Sequence, residues 1–126
     1  MKMATSGSTR VRAPLRLGLA GGGTDVPPYA ACYGGRVVSL AIGRYAETHI
    51  QQAESRTTMT AVDLGTTVTS IPQDIQSFRR SLPLHAAAYE HLMHLYNGGA
   101  LAPVQITTRV DAPMGSGLGA SSALAV

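Results

Sequence analysis

The stretch DAPMGSGLGASSALAV, Asp111–Val126, decides how the rest of this chain is read. It sets Gly115, Gly117 and Gly119 at alternate positions, follows them with Ser121 and Ser122, and then begins an apolar run. The residues before it, VQITTRV from Val104 to Val110, read as a strand because β-branched residues dominate and polarity alternates. A strand, a glycine turn and a helix start form a common phosphate-binding geometry. Glycine lets backbone N–H groups approach oxygen atoms closely, and a helix start adds partial positive charge.

Three loop types compete for these residues. A P-loop needs a lysine followed by Ser or Thr, and Lys2 is the only lysine in the chain. That reading is excluded. The dinucleotide fingerprint G-x-G-x-x-[GA] does match at Gly115, Gly117 and Ala120. However, Asp111-Ala112-Pro113 separates strand from loop, and no acidic residue follows at the required distance. The third pattern, P-x-x-x-G-L-x-x-S-S-A, is met by Pro113, Gly117, Leu118, Ser121, Ser122 and Ala123.

That third pattern resembles the second motif of the GHMP kinases, whose loop wraps nucleotide phosphates without a P-loop lysine. Arg12–Asp25, RAPLRLGLAGGGTD, resembles the family's first motif, A-P-x-R-x-x-L-x-G-x-x-T-D, at Ala13, Pro14, Arg16, Leu19, Gly21, Thr24 and Asp25. Two motifs in the right order are far more specific than one. Two departures narrow the branch. Galactokinases carry Glu and His where this chain has Gly22 and Gly23, and the GLGASS loop is one residue longer than theirs. Both features look like the heptose 7-phosphate kinase and fucokinase branch.

The resemblance implies ATP and Mg2+ as cofactors and a small sugar phosphate as substrate. The expected acceptor is the anomeric hydroxyl of D-glycero-D-manno-heptose 7-phosphate, on the route to nucleotide-heptose for surface glycans. A fucokinase-like enzyme, or a nucleotide- or sugar-phosphate-binding module without transfer, is the alternative. By the same resemblance, Pro113, Gly115, Ser116, Gly117, Leu118, Gly119, Ala120, Ser121 and Ser122 hold the nucleotide, with Ser122 on the metal. Gly22, Gly23, Thr24 and Asp25 line the acceptor pocket, and Arg16 is the cation near the attacking hydroxyl. Asp25 can also be read as closing its glycine turn, and Arg16 as a surface-paired strand residue.

The implied fold is α+β, the N-terminal half of a GHMP kinase, with a mixed sheet and helices on one face. Residues 1–9 are expected to be a flexible tail and residues 10–126 a truncated N-terminal domain. Strands are predicted at Arg10–Leu19, Gly35–Ile42, Tyr45–Gln52, Thr57–Asp63, Thr66–Ile71 and Val104–Val110. A short helix is expected over Tyr29–Gly35, a longer one over Leu84–Asn97, and another from Ser121. Leu84, Ala88, Leu92 and Leu95 supply the helical spacing of the longer one. The family's catalytic carboxylate lies beyond this chain, and Asp63, Asp74 and Asp111 do not sit in its context. The chain alone is therefore expected to be inactive, with open apolar faces that favour self-association.

Composition excludes several other classes. Hydrophobic residues make up 44% and charged residues 13%, too apolar for a disordered chain. The net charge of +3 comes from nine scattered arginines besides Lys2, with neither the clustering nor the aromatics of a nucleic-acid surface. Cys32 is the only cysteine, and His91 and His94 lack further ligands at metal-site spacing. No signal-peptide core or membrane-length apolar run is present, so no membrane partner and a cytoplasmic location are expected.

Overall fold

The computed structural model describes residues 7–125. Five strands form one sheet: β1 (Ser8–Ala20), β2 (Val38–Gln52), β3 (Thr57–Ala61), β4 (Thr66–Ser70) and β5 (Val104–Val110). Their spatial order is β1-β2-β5-β3-β4. Only β3 and β5 run parallel, so the sheet is mixed and largely antiparallel. A doubly wound dinucleotide fold would need a parallel sheet, and that alternative is excluded. The short helix expected after the first glycine turn is present as α1 (Tyr29–Tyr33).

Strand β5 shows why one face is buried. Thr108 and Val110 are buried and Val104 and Ile106 half-buried, while Gln105, Thr107 and Arg109 are exposed. Register carries this parity across the sheet, because Ile106 lies opposite both Ile50 and Met59, and Val110 opposite Ala46. The helices α2 (Ile75–Ser81), α3 (Pro83–Tyr96) and α4 (Ala120–Leu124) supply the side chains that pack against this inner set. The opposite parity carries Arg10, Arg12 and Glu47, joined as ion pairs at 2.6 and 3.0 Å.

The core has two parts. Phe78 of α2, Leu82 between the helices, and Ala86 and Tyr89 of α3 pack on Met59 and Ala61. Leu15, Ala46 and Val110 form the second part, covered by Leu118 and by Ala120, Ala123 and Leu124 of α4. Between them runs a groove of about 220 Å³ whose walls include Val11, Ala13, Ile50, Leu84, Leu92 and Leu124.

Several sequence expectations need correction. The strands expected at Gly35–Ile42 and Tyr45–Gln52 are one strand, β2, beginning at Val38. Its partner β1 is continuous, pairing Pro14 with Tyr45 and Arg16 with Ala41, so Ile42–Arg44 form a bulge opposite Leu15 rather than a turn. Strand β3 stops at Ala61, where a short 3₁₀ turn over Val62–Leu64 ends on Gly65 in the left-handed region. Strand β4 ends at Ser70, and β1 starts two residues early, at Ser8. Residues 1–6 of the expected tail lie outside the described residues.

Helix α2 has no counterpart among the elements predicted from sequence. Asp74 starts it, accepting hydrogen bonds from the Ser77 N–H and hydroxyl and from the Ser70 hydroxyl, and these bonds hold its carboxyl below the usual range. Helix α3 is where the spacing places it, but its buried residues are Ala86 and Tyr89, continuing from Leu82 just before it. Leu84, Leu92 and Leu95 are exposed because their flank faces the groove or solvent. His91 and His94 are exposed as well.

His85 ties α3 to the centre of the sheet through a 2.7 Å hydrogen bond to the hydroxyl of buried Thr108. Burial pushes its imidazole below the ordinary 6.5, with Asp63 opposing in part. The native state therefore favours neutral His85, and the unfolded chain takes up a proton first as pH falls. Stability should be undiminished by this group above pH 6.5 and decline below it until the lowered native value is passed. His85→Gln can still hydrogen-bond Thr108 without titrating and should flatten that interval. Urea midpoints followed from pH 4 to 8 check this, and an identical pH dependence in both proteins would leave His85 without a role.

Candidate functional site

Strand β5 leads into the glycine loop through Asp111, whose N–H donates to the Tyr45 carbonyl at 2.9 Å. Ser116 N–H then closes a turn on Pro113 at 3.2 Å. Gly115, Gly117 and Gly119 take φ values of 76°, 72° and 74°, and no residue between them has positive φ. Alternating φ sign turns successive N–H groups toward one side, the concave arrangement that binds anions. A Cβ at Gly115 or Gly117 would meet nothing within 4 Å, so the loop is open above them. Gly119 precedes α4, and its carbonyl accepts from Ala123 N–H at 3.0 Å. Ser121 and Ser122 are exposed on the first turn of α4.

The far side of the loop is seated on β1. Leu118 packs in the cluster centred on Leu15, and its carbonyl accepts from Arg16 N–H at 2.9 Å. A Cβ at Gly119 would lie 3.1 Å from both Cγ and Nε of Arg16. Two sequence motifs far apart in the chain thus meet at Arg16 and Leu118–Gly119. Arg10 and Arg12 share Glu47, and Arg109 lies 4.0 Å from Asp111. Arg16 has no carboxylate partner among the described residues, so the reading of it as a surface-paired strand arginine finds no support.

The turn after β1 holds the remaining first-motif residues. Thr24 N–H and the Thr24 hydroxyl both donate to the Gly21 carbonyl, at 3.1 and 2.7 Å. Thr24, and not Asp25, therefore closes this turn. The Asp25 carboxylate is exposed and makes no hydrogen bond among the described residues. Gly22 and Gly23 border open space. The structure joins Arg16, within β1, to the loop, while Gly22–Asp25 follow the end of that strand and make no hydrogen bond to the loop among the described residues.

The three carboxylates that the sequence reading sets aside as bases have other places in the fold. Asp74 caps α2, Asp63 lies in the 3₁₀ turn, and Asp111 lies beside Arg109 at the root of the loop. Sequence reasoning misses the residues that fix the first motif, Gly35 and Arg36, because neither belongs to a recognised pattern. The signal available is the Gly34-Gly35 pair, which reads on its own only as a helix stop.

No family model matches the chain, but individual proteins do. A D-glycero-alpha-D-manno-heptose 7-phosphate kinase of Campylobacter jejuni is 31% identical over 93% of the chain, which spans 34% of that relative's length. A D-glycero-D-manno-heptose 1-phosphate kinase from Bacteroides thetaiotaomicron has a crystal structure that superposes with a TM-score of 0.81. It is 36% identical, and the match covers 92% of this chain and 38% of that one. The mevalonate kinase of Methanococcus jannaschii shares the fold alone, with a TM-score of 0.71 at 18% identity over 98% of this chain and 38% of that one. With both motifs seated as described, the chain resembles the GHMP kinases in sequence and fold, and it spans about a third of the length of these relatives, consistent with an N-terminal portion of one.

Proposed function

We propose that the protein carrying this chain is an ATP-dependent sugar kinase that phosphorylates the anomeric hydroxyl of D-glycero-D-manno-heptose 7-phosphate. The observation that carries this reading is the seating of an open glycine loop against the strand and side chain of Arg16. The names of the two heptose kinases place a phosphate at opposite ends of the sugar, and a phosphorylated heptose is what they share. Gly22 and Gly23 leave the acceptor turn without side chains, which suits a sugar bulkier than galactose.

The chain's own groups divide the work. Backbone N–H groups of the Gly115–Ala120 loop bind phosphate oxygens, with Gly115 and Gly117 open to solvent. Asp25, free of hydrogen-bond partners among the described residues, accepts hydrogen bonds from sugar hydroxyls. Arg16 holds a fixed positive charge beside the loop, where it stabilises negative charge developing on the attacking oxygen. Ser122, with an exposed hydroxyl on the first turn of α4, is the residue to hold magnesium. ATP supplies the phosphoryl group, and magnesium offsets the charge of its phosphates. Among the described residues no carboxylate stands beside Arg16 to take the hydroxyl proton, which favours binding without transfer for these 126 residues alone.

Three outcomes follow for the full-length form. In assays with galactose, fucose, mevalonate and heptose 7-phosphate, the heptose phosphate should give the highest kcat/KM, with the 126-residue chain as an inactive blank. A higher value for another acceptor would refute the sugar, and turnover by the blank would place a base within this chain. Ser122→Ala should lower kcat about 10²-fold while leaving sugar binding intact, because a metal ligand acts mainly in the transition state. Unchanged kcat at saturating magnesium would reassign the role to Ser121. Gly119→Ala should cost about 1–2 kcal/mol through its left-handed φ and also lower kcat by displacing Arg16. Lost stability with full kcat would separate Arg16 from the reaction.

A further inference from the structure

Three consecutive glycines, Gly21–Gly23, precede Thr24 and Asp25, and glycine has more backbone freedom to lose than any other residue. A carboxylate that must meet a sugar in one geometry therefore needs its turn anchored from outside. The structure supplies that anchor where Arg36 approaches the turn. The Thr24 hydroxyl donates to the Gly21 carbonyl at 2.7 Å and accepts from the Arg36 N–H at 3.1 Å. The same oxygen lies 3.1 Å from the Arg36 carbonyl. One side chain thus bonds its own turn and the segment entering β2.

The two backbones also interlock sterically. A Cβ at Gly21 would overlap the carbonyl oxygen of Arg36. A Cβ at Gly35 would overlap the carbonyl oxygen of Thr24 and sit 2.8 Å from Cα of Asp25. Gly35 has no positive φ, so close approach is the reason for glycine at that position. The tip is different: a Cβ added at Gly22 or Gly23 would meet nothing within 4 Å. The base of the turn is clamped and its open tip borders solvent.

We propose that Thr24, Gly35 and the Arg36 N–H form a clasp that positions the Asp25 carboxylate for acceptor binding, Thr24 itself making no essential contact with the sugar. This rests on the reading of Gly22–Asp25 as the acceptor turn. A threonine hydroxyl has one proton and two lone pairs. Gly21 takes the proton and Arg36 N–H takes one lone pair, so little capacity remains for a ligand. Thr24 and Gly35 are positioning residues, and their influence reaches the acceptor through Asp25.

Steady-state kinetics of the full-length kinase, with the best acceptor of the four-compound panel, provide the test. Thr24→Val removes the hydroxyl at constant shape, Thr24→Ser keeps it, Gly35→Ala wedges the backbones apart, and Asp25→Asn reports on the acceptor reading. Thr24→Val and Gly35→Ala should raise acceptor KM about tenfold or more with ATP KM unchanged, since misplacement by about 1 Å can cost 10²-fold. Thr24→Ser should recover most of the loss. Amide exchange at Arg36 should accelerate in Thr24→Val and not in Thr24→Ser, which tests the clasp without turnover. If Asp25→Asn raises acceptor KM and Thr24→Val does not, the clasp is wrong and the acceptor turn stands. If Asp25→Asn also has no effect, the acceptor reading falls and the clasp's role falls with it. A parallel rise in both KM values, or a Thr24→Ser as impaired as Thr24→Val, would reduce the clasp to general structure.

Discussion

Leu15 is the fully buried residue of β1, and the placement of the site follows from its burial. Opposite it, β2 bulges through Ile42–Arg44, which shifts the register between Pro14 and Arg16. Leu15 then packs with Ala46 and Val110 beneath Leu118, Ala123 and Leu124, pinning the glycine loop and α4 to the sheet. Fully burying a leucine stabilises by about 1.5–3 kcal/mol, against about 0.5–1.5 for one neutral hydrogen bond. Apolar packing therefore holds the loop down. The bond from Arg16 N–H to Leu118 fixes its register, and Gly119 permits the close approach of the arginine stem.

Charge is distributed along the same lines. Arg10, Arg12, Arg79 and Arg109 each have a carboxylate within 4.0 Å. Such exposed pairs contribute at most about 1 kcal/mol, so the main effect of those on the sheet is to neutralise its outer face. Arg16 and Asp25 have no such partners among the described residues, and both belong to the first motif. Asp74 shows the opposite case. Its carboxylate is occupied by Ser77 and Ser70, and those bonds favour its charged form. A carboxylate so engaged serves a helix start and not a reacting hydroxyl.

The sequence makes some of this legible and hides the rest for identifiable reasons. Strand β5 is readable to the residue because its alternation coincides with a sheet buried on one face only. The glycine loop and Arg16 are readable because each lies in a patterned motif. The continuity of β2 is not, since Gly43-Arg44 is a turn signal unless a partner strand runs unbroken past it. The buried face of α3 is also hidden. Apolar residues occupy both flanks of that helix, and only tertiary contact decides that Ala86 and Tyr89 are enclosed while Leu84 and Leu92 face the groove. Tyr89 is fixed there by a 2.7 Å bond to the Ala102 carbonyl, a pairing without local sequence signature. The approach of Gly35 to Thr24 escapes the sequence for the same reason.

The distance between the two motifs' turns is set by the ribbon formed by β1 and β2. Four residues carry the chain from Arg16 to Ala20, and at about 3.3 Å per residue they place the start of the Gly21–Asp25 turn roughly 13 Å from the loop contact. Among the described residues this stretch pairs only with β2, through Leu17–Leu40 and Gly18–Ser39. Leu17, Leu19, Val38 and Leu40 are all near half exposed, so little packing supports it. A two-stranded ribbon without an apolar partner is marginal in water. The turn at its end therefore cannot inherit rigidity from the sheet. It has to be made rigid locally, by the hydrogen bonds of Thr24 and the interlocked backbones of Gly21 and Gly35, while the loop at Leu118 takes its rigidity from the core.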